Sequence, residues 1–254
     1  MKPEKLDIFP NCDQKIAAQK GLQRLVITSL PAVPRHAYLP FLNELRMMWR
    51  RTGTQKEIRK FKNRRDLRLN LGCGPCGKPG WTNVDIGTYP GVDCIYDCRK
   101  SLPFPDGSAK CIFVEHFVEH LDYCEEIPFF LSECHRVLET GGVIRIIVPD
   151  AEKYLLGYCA EGWEELTKIR PLGPGRADAY FGSHYNTKME LVNVVFRQYF
   201  EHKFSWDYET MQFALRRYGF SVIYRQGFGQ SVQDGLAIDK PERASESLYV
   251  EAVK

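Results

Sequence analysis

The sequence has no apolar run near the roughly 20 residues that a membrane-spanning helix needs. Its first residues, Met1 to Lys5, lead into no apolar core, so the pattern of a secretory signal peptide is missing as well. Internal repeats and low-complexity tracts are also absent. Apolar residues make up 44% of the 254 positions and aromatic residues 13%, which is ample for a globular core. We therefore expect a soluble, cytoplasmic protein.

Nine cysteines, an odd number, are scattered through apolar runs and loops. Together with the missing signal pattern, this usage predicts reduced thiols rather than a disulfide framework. Cys73 and Cys76 form a C-x-x-C pair, and Cys94 and Cys98 lie close in sequence. A structural zinc site needs four well-placed ligands, and Cys73 already lies inside a glycine turn. No metal is predicted there.

Positive charge is concentrated in one segment, although the net charge is only +3. Residues 46–68 hold ten basic residues against two acidic ones, Glu57 and Asp66. Such a block fits contact with an anionic membrane surface, acidic glycans or phosphates, and it also fits a solvated helix face. We predict that residues 1–66 form a helical, basic extension with too few apolar residues for a core of its own. Nucleic acid is disfavoured as a partner, because no RNA-binding module is recognisable.

The segment from Leu67 to Asp85, LRLNLGCGPCGKPGWTNVD, organises the rest of the chain. A short strand pattern ends in Gly72-Cys-Gly74, and a second strand pattern ends in Asp85. The first glycine permits a sharp turn, and the second lets a ligand lie against the backbone. An acid at the end of the next strand can bind both hydroxyls of a ribose. We expect replacement of Gly72 by Val to abolish cofactor binding and to leave the chain folded.

Strand and helix patterns alternate after Leu67. Strands are predicted at 67–71, 82–86, 93–96, 110–115 and 143–148, with a helix over 123–139 before the last of them. Asp207 is a predicted N-cap for a helix over 208–218, and two further strands at 221–226 and 248–253 fit an antiparallel hairpin. These patterns predict an α/β fold with a parallel sheet in a domain over residues 67–254, with an insert at about 151–206.

Four sequence motifs, in their order along the chain, resemble those of class I S-adenosylmethionine-dependent methyltransferases. They are LNLGCGP, SLPFPD at 101–106, EHL at 119–121 and LxECHRVLxxGG at 131–142. The chain is most similar to predicted methyltransferases associated with surface-polysaccharide synthesis. The resemblance covers residues 67–254 and implies a Rossmann-like, seven-stranded sheet with the last strand antiparallel, with the insert on the acceptor side. It also implies S-adenosylmethionine as the cofactor.

The resemblance assigns cofactor contacts residue by residue. The turn at 72–74 contacts the methionine part, Asp85 the ribose hydroxyls, residues 97–98 the adenine, and residues 115–116 border the sulfonium and the acceptor. The implied cofactor contacts are Asn70, Gly72, Cys73, Gly74, Asp85, Asp97, Cys98 and Glu115. Asn70 stands where the family usually has an acid, so it can hydrogen-bond the cofactor's ammonium group but carries no charge. Asp85 follows Gly74 by 11 residues, against about 20 in a dinucleotide fold, which argues against a NAD-dependent dehydrogenase.

The segment His116-Phe-Val-Glu119-His120 also matches H-x-x-E-H, the inverted zinc-protease pattern. It begins at a strand end, where a methyltransferase has a loop, rather than inside a long amphipathic helix. The zinc-hydrolase interpretation is therefore disfavoured, and His120 is predicted to be a hydrogen-bonded structural histidine. Glu190 and Glu201 are the acids that this interpretation offers as a third ligand.

The predicted function is methyl transfer from S-adenosylmethionine to a small-molecule or glycan-precursor acceptor, at a hydroxyl. A hydroxyl acceptor benefits from a base, and the candidates are His116, Asp150, His184 and His202, with Tyr185 beside them. Residues 46–68 are then predicted to contact an anionic membrane surface, at the inner face. Two alternatives remain open: an RNA methyltransferase that uses the same basic block, and a non-catalytic module with the cofactor fold. The oligomeric state is left open.

Overall fold

The computed structural model describes residues 41–42, 44–45, 47–48, 54–178 and 180–254, with the side chain of Tyr199 left aside. Two compact units divide this chain. One contains residues 47–152 and 196–254, and the other includes residues 153–195. Within the described ranges, no helix is both long enough and apolar enough to cross a membrane. The predicted boundary at residue 66 and the predicted insert at about 151–206 stay predictions.

The described residues form ten strands in two sheets. The strands are β1 (Leu67–Leu71), β2 (Thr82–Asp85), β3 (Cys94–Ile95), β4 (Ala109–Glu115), β5 (Leu138–Pro149), β6 (Leu172–Gly173), β7 (Ala177–Asp178), β8 (Ser183–His184), β9 (Val222–Gln226) and β10 (Ser247–Val253). The large sheet has the order β3-β2-β1-β4-β5-β10-β9, and the small one the order β6-β7-β8. Neighbours from β3 to β5 are parallel, whereas β10 is antiparallel to both β5 and β9. The seven-stranded sheet with an antiparallel last strand is thereby confirmed.

Six helices have both ends in the described ranges, and the described residues at 41–42, 44–45 and 47–48 are helical as well. The six are α1 (Thr54–Phe61), α2 (Glu126–Val137), α3 (Ala151–Cys159), α4 (Glu164–Ile169), α5 (Lys188–Arg197) and α6 (Tyr208–Arg217). The Asp207 side chain caps α6 by accepting from the Thr210 amide at 2.9 Å, as predicted. The strand predicted at 143–148 is longer, because its start pairs with the C-terminus: the Gly141 amide donates to the Lys254 carbonyl at 3.0 Å.

Side chains alternate between the two faces of the sheet, as the period of a strand requires. Leu69 and Leu71 of β1 lie on one face, in the larger core. Trp81, Phe113 and Tyr249 lie in a second, smaller core. Both faces of the central strands are therefore covered, which explains the near-continuous apolar character of β4 and β5.

Arg145 is fully buried in β5, where a charge needs full pairing. Its Nη2 lies 2.6 Å from Asp239 Oδ2 and its Nη1 lies 2.8 Å from Glu251 Oε1. It also donates to the carbonyls of Gly227 and Gln230. Arg145 therefore fastens the loop between β9 and β10 to the sheet.

Glu133 of α2 connects two of the sequence motifs, those at 101–106 and 131–142. It accepts from the Leu102 amide at 2.6 Å and the Ser101 hydroxyl at 3.0 Å, and Arg136 donates to it at 2.8 Å. Burial raises the pKa of the Glu133 carboxyl, but the hydrogen bonds from Arg136, Leu102 and Ser101 outweigh this and lower it below its ordinary value. The two motifs are thus held together by hydrogen bonds to the buried carboxylate of Glu133.

The structure describes part of the basic segment 46–68. Some of its basic side chains contact other residues of the protein. Lys60 donates to the Asp93 carbonyl, and the Arg68 guanidinium lies 4.5 Å from the centre of the Trp81 ring. Other bases are exposed: Lys56, Arg59, Lys62, Arg64 and Arg65. Arg46, Arg50 and Arg51, with most of the predicted helical extension, lie outside the described residues.

Candidate functional site

The glycine turn follows β1 at the carboxyl edge of the parallel strands. Gly72 and Gly74 both have positive φ, +67° and +53°, a region that glycine enters without the penalty of a Cβ. The Gly72 amide donates to the Val84 carbonyl at 2.9 Å, and the Cys73 amide donates to the same oxygen at 3.2 Å. The turn is therefore held against the end of β2.

Asp85 ends β2 and faces this turn. Its Oδ2 accepts from the Gly74 amide at 2.9 Å, and its Oδ1 accepts from the Gly87 amide at 2.6 Å. An ionised carboxylate has about four acceptor positions, so two remain for a further ligand. A Cβ added to Gly74 would meet no atom within 4 Å. The second glycine and Asp85 thus line open space with acceptor capacity left, which fits a ligand with adjacent hydroxyls.

Two cysteine thiols lie in the same region. Burial first, and the nearby Asp85 charge second, raise the pKa of Cys73 to about 12. Burial also raises the pKa of Cys98, whose sulfur lies near the Gly72 backbone. Both thiols are neutral at physiological pH and act as small apolar groups rather than as nucleophiles. The structure thus places residues 72–74, 85 and 98 together, and their predicted contacts with the cofactor stay predictions.

Two other predicted cofactor residues have partners within the protein. The Asn70 side chain is buried and donates to Asn83 Oδ1 at 2.9 Å. Asp97 is buried too, and its Oδ1 lies 3.0 Å from Arg99 Nε. An Asp97 contact with adenine requires the carboxylate to serve Arg99 and the ligand together. Their roles in cofactor binding stay predictions.

Glu115 ends β4 and is paired with the loop between β9 and β10. Its Oε1 accepts from the Lys240 amide at 2.8 Å, and its Oε2 lies 3.5 Å from Lys240 Nζ. The predicted place of Glu115 beside a cofactor stays a prediction. The loop fastened by Arg145 therefore also reaches the carboxyl edge of β4.

His116 is the next residue and has an unusual backbone, with φ of +52°. Such a value is uncommon outside glycine and turns the chain sharply off β4. The His116 ring spans two partners: Nδ1 lies 3.1 Å from Glu119 Oε1, and Nε2 lies 3.1 Å from the Ser247 hydroxyl oxygen. Because an ionised carboxylate only accepts, Nδ1 carries the proton and Nε2 is the basic nitrogen. This arrangement is that of an oriented histidine base.

Glu119 is almost completely buried. Burial alone raises the pKa of its carboxyl, but the hydrogen bond from His116 and the electrostatic effect of the His116, His120 and His202 rings lower it to about 2. The carboxylate is therefore ionised over the whole physiological range. It can hold His116 in one tautomer and stabilise the charged ring after proton uptake.

His202 joins this group from the segment before α6. Its Nε2 lies 4.0 Å from Glu119 Oε1, and its ring meets the His120 ring edge-to-face at 4.8 Å between centroids. The amide of Lys203 donates to the Glu119 carbonyl at 2.8 Å, which holds the two segments together. The structure thus brings His116 and His202, two of the four predicted base candidates, around one carboxylate.

The other two candidates lie in different settings. Asp150 is buried at the start of α3, where its Oδ1 accepts from the Glu152 amide at 3.1 Å and its Oδ2 lies 3.2 Å from Arg225 Nη2. It acts there as a helix cap and ion-pair partner. His184 belongs to β8 of the small sheet, with its ring 3.5 Å from the Gly175 carbonyl. Tyr185, beside it, is buried and donates to Asp178 at 2.6 Å.

From the sequence, Glu119 was noted in the EHL motif and in the zinc pattern, but it was given no role beside His116, and Ser247 was not considered. The three-residue spacing from His116 to Glu119 was the available signal, because residues i and i+3 share one side of a helical turn. No local signal marks Ser247, since it lies 131 positions further along the chain and reaches His116 only through the pairing of β10 with β5.

Comparison with known proteins finds sequence similarity over part of the chain. Residues 87–146 match the profile of the methyltransferase domain family. A stretch of 63 residues is 38% identical to a protein of Mycolicibacterium smegmatis described as a probable S-adenosylmethionine-dependent methyltransferase. The match covers 24% of this chain and 23% of that relative. The family profile therefore covers one segment, which begins just after β2 and ends within β5.

Solved structures of methyltransferases are also similar at low identity. A SAM-dependent methyltransferase from Archaeoglobus fulgidus is 20% identical, with a TM-score of 0.45 over 85% of this chain and 99% of that one. The 1,6-didemethyltoxoflavin-N1-methyltransferase of Burkholderia thailandensis is 13% identical, with a TM-score of 0.43 over 88% of this chain and 92% of that one. At these values the two structures do not bear on the function of this chain.

Proposed function

We propose that this protein is a methyltransferase that transfers the methyl group of S-adenosylmethionine to a hydroxyl of a small molecule or glycan precursor. One observation carries the proposal: the glycine turn after β1 is bonded to the terminal acid of β2 at the carboxyl edge of a seven-stranded sheet. Ligands of open α/β sheets bind at this edge. The match of residues 87–146 to a methyltransferase domain points to the same chemistry.

The proposed division of labour follows from the side chains. When bound, S-adenosylmethionine supplies an already activated methyl group, so catalysis depends mainly on placement of the acceptor. Asp85 offers its remaining acceptor positions to the ribose hydroxyls, and the open side of Gly74 lets the ligand approach the backbone. The neutral thiols of Cys73 and Cys98 complete an apolar lining without competing as nucleophiles.

His116 is the proposed base. Glu119 holds Nδ1–H, so Nε2 accepts the proton that the acceptor hydroxyl loses as its oxygen attacks. Ser247 occupies Nε2 in this structure and marks where the acceptor hydroxyl is expected to bind. Asp150 is not assigned this role, because both of its oxygens serve α3 and Arg225.

The proposed setting is the cytoplasmic face of a membrane. Arg59, Lys62, Arg64 and Arg65 are exposed, and each basic residue near an anionic surface contributes about 1 kcal/mol. Replacement of these four by Ser leaves the internal bonds of Lys60 and Arg68 intact. The variant is expected to lose binding to vesicles that contain anionic lipid. Unchanged vesicle binding would remove the membrane from the proposal.

The acceptor is tested by incubating the protein with methyl-labelled S-adenosylmethionine and fractions of the host cell. Label in a small-molecule or lipid-linked glycan fraction supports the proposal. Label in RNA would instead support an RNA methyltransferase, and no label in any fraction would support a non-catalytic module. Asp85→Asn is the negative variant, and Asp66→Asn is its matched control, because Asp66 is exposed and pairs with Lys110.

A further inference from the structure

Three potential metal ligands converge in the segments that follow β4 and precede α6. Glu119 and His120 come from the 3-10 turn Val118–His120, and His202 comes from the chain just after the turn Gln198–Phe200. One ligand atom from each residue lies within 4.8 Å of the other two. Two imidazoles and one carboxylate are a ligand set that zinc and related divalent ions bind in proteins.

The Glu119 carboxylate has an oxygen without a protein partner. Oε1 accepts from His116, but the buried Oε2 has no hydrogen-bond partner among the described residues. A buried carboxylate oxygen in this state is rare, because desolvation costs free energy that only a hydrogen bond or a cation restores. Only 2% of this side chain is exposed, so bulk water does not reach it freely. The oxygen is therefore available to a bound cation.

The His120 ring is prepared to bind a metal by its second nitrogen. Nδ1 lies 3.0 Å from the Glu201 carbonyl oxygen. A carbonyl only accepts, so Nδ1 carries the proton and Nε2 has the free lone pair. Metal-binding histidines have this arrangement as a rule: the non-ligating N–H donates to a carbonyl or a carboxylate, which fixes the tautomer and the ring orientation.

We infer that Glu119, His120 and His202 bind one divalent transition-metal ion, with Zn²⁺ as the best fit. A tetrahedral zinc at about 2.0–2.1 Å from each ligand needs ligand atoms about 3.3 Å apart. The present separations, 4.0 Å between His202 Nε2 and Glu119 Oε1 and at most 4.8 Å overall, are longer than this, so metal binding requires the three side chains to move closer together. The fourth position is left for water or an acceptor oxygen.

This ligand set differs from the one in the inverted zinc-protease pattern. His116, the first histidine of H-x-x-E-H, donates to Glu119 and orients the carboxylate, while His202 supplies the third ligand from 82 residues further on. The ion would link the chain after β4 to the chain before α6. His202 then serves as a ligand and not as a base. The inference does not depend on methyl transfer, because it rests on the three ligands alone.

The test is a Zn²⁺ titration of the full chain, purified with a chelator and alkylated so that exposed thiols do not compete. Wild type and the control His135→Ala are expected to bind one Zn²⁺ per chain with the same affinity, because His135 packs on Phe220 outside the cluster. His120→Gln and His202→Gln keep side-chain size and polarity and are each expected to weaken the affinity at least about 10-fold.

Several results would overturn the inference. They are a wild type that binds no Zn²⁺, unchanged affinity in both Gln variants, and an equal loss in the His135 control. If a variant does not fold, zinc-edge X-ray absorption of the zinc-loaded wild type tests the ligand set instead. Nitrogen and oxygen donors at about 2.0–2.1 Å are expected, and sulfur donors at about 2.3 Å would place the ion on cysteines instead.

Discussion

The two glycines of the turn after β1 should respond differently to the same substitution. A Cβ on Gly72 would lie 2.4 Å from Cγ of Phe117, well inside contact distance. The Phe117 ring packs edge-to-face on Phe130 at 5.5 Å, so it has little room to move. A positive φ costs a non-glycine residue about 1–2 kcal/mol, and overpacking adds about 1–3 kcal/mol. Gly72→Ala should therefore lower the free energy of unfolding by about 2–5 kcal/mol.

Gly74→Ala has only the free-energy cost of the positive φ and no cost of overpacking, because nothing lies within 4 Å of its added Cβ. We expect a loss of about 1–2 kcal/mol in stability together with weaker binding of S-adenosylmethionine, since the methyl group enters the open space beside Asp85. Urea unfolding followed by tryptophan fluorescence measures the first quantity, and titration calorimetry the second. Equal stability of the two variants would refute the reasoning. The sequence-based expectation that a Gly72 to Val change leaves the chain folded stays a prediction, and the short distance to Phe117 indicates that this change also lowers stability.

Three further outcomes are expected. Arg145→Met should lower the free energy of unfolding by about 3–5 kcal/mol, because it strands the buried carboxylates of Asp239 and Glu251; an unchanged urea midpoint would contradict this. The pKa of folded Glu133 lies below its ordinary value of 4.5, so its contribution to stability is present above that pH and is lost as pH falls through the lower, folded value. Glu133→Gln should flatten this acid-side loss in unfolding curves between about pH 5 and pH 3, and an identical slope would count against the assignment. His116→Asn, which tolerates the positive φ, should slow methyl transfer about 10²- to 10⁴-fold without changing cofactor affinity; equal loss of both would make His116 a binding residue.

Local sequence signals were sufficient for most elements of the large sheet. The glycine turn, the apolar run of β5 and the Asp207 cap each depend on neighbouring residues, and they lie where they were expected. The start of β5 was misplaced, because Leu138 pairs with Ala109 of β4 and Gly141 bonds to Lys254. Tertiary contacts of this kind set where β5 begins, and the residues of the strand itself do not reveal them.

The neighbours of the glycine turn were easier to predict from the sequence than the group around Glu119. Gly74 and Asp85 are close in sequence and are joined by a hydrogen bond, while their predicted cofactor contacts stay predictions. The group around Glu119 was not foreseen, because His202 and Ser247 reach it only after the sheet has formed. Asp150 had the right position after β5 for a base, but its oxygens bind Arg225 and the start of α3. Sequence position alone does not reveal such internal partners.

The central claim is that the turn after β1 and Asp85 bind S-adenosylmethionine, and calorimetric titration of that ligand tests it most directly. Asp85→Asn removes a charge-assisted acceptor worth about 1.5–3 kcal/mol, which corresponds to an increase in Kd of about 10- to 150-fold. Wild type and Asp66→Asn should bind equally well, since Asp66 lies at the opposite end of β1. Equal affinity in the Asp85 variant, or no binding by wild type, would contradict the account.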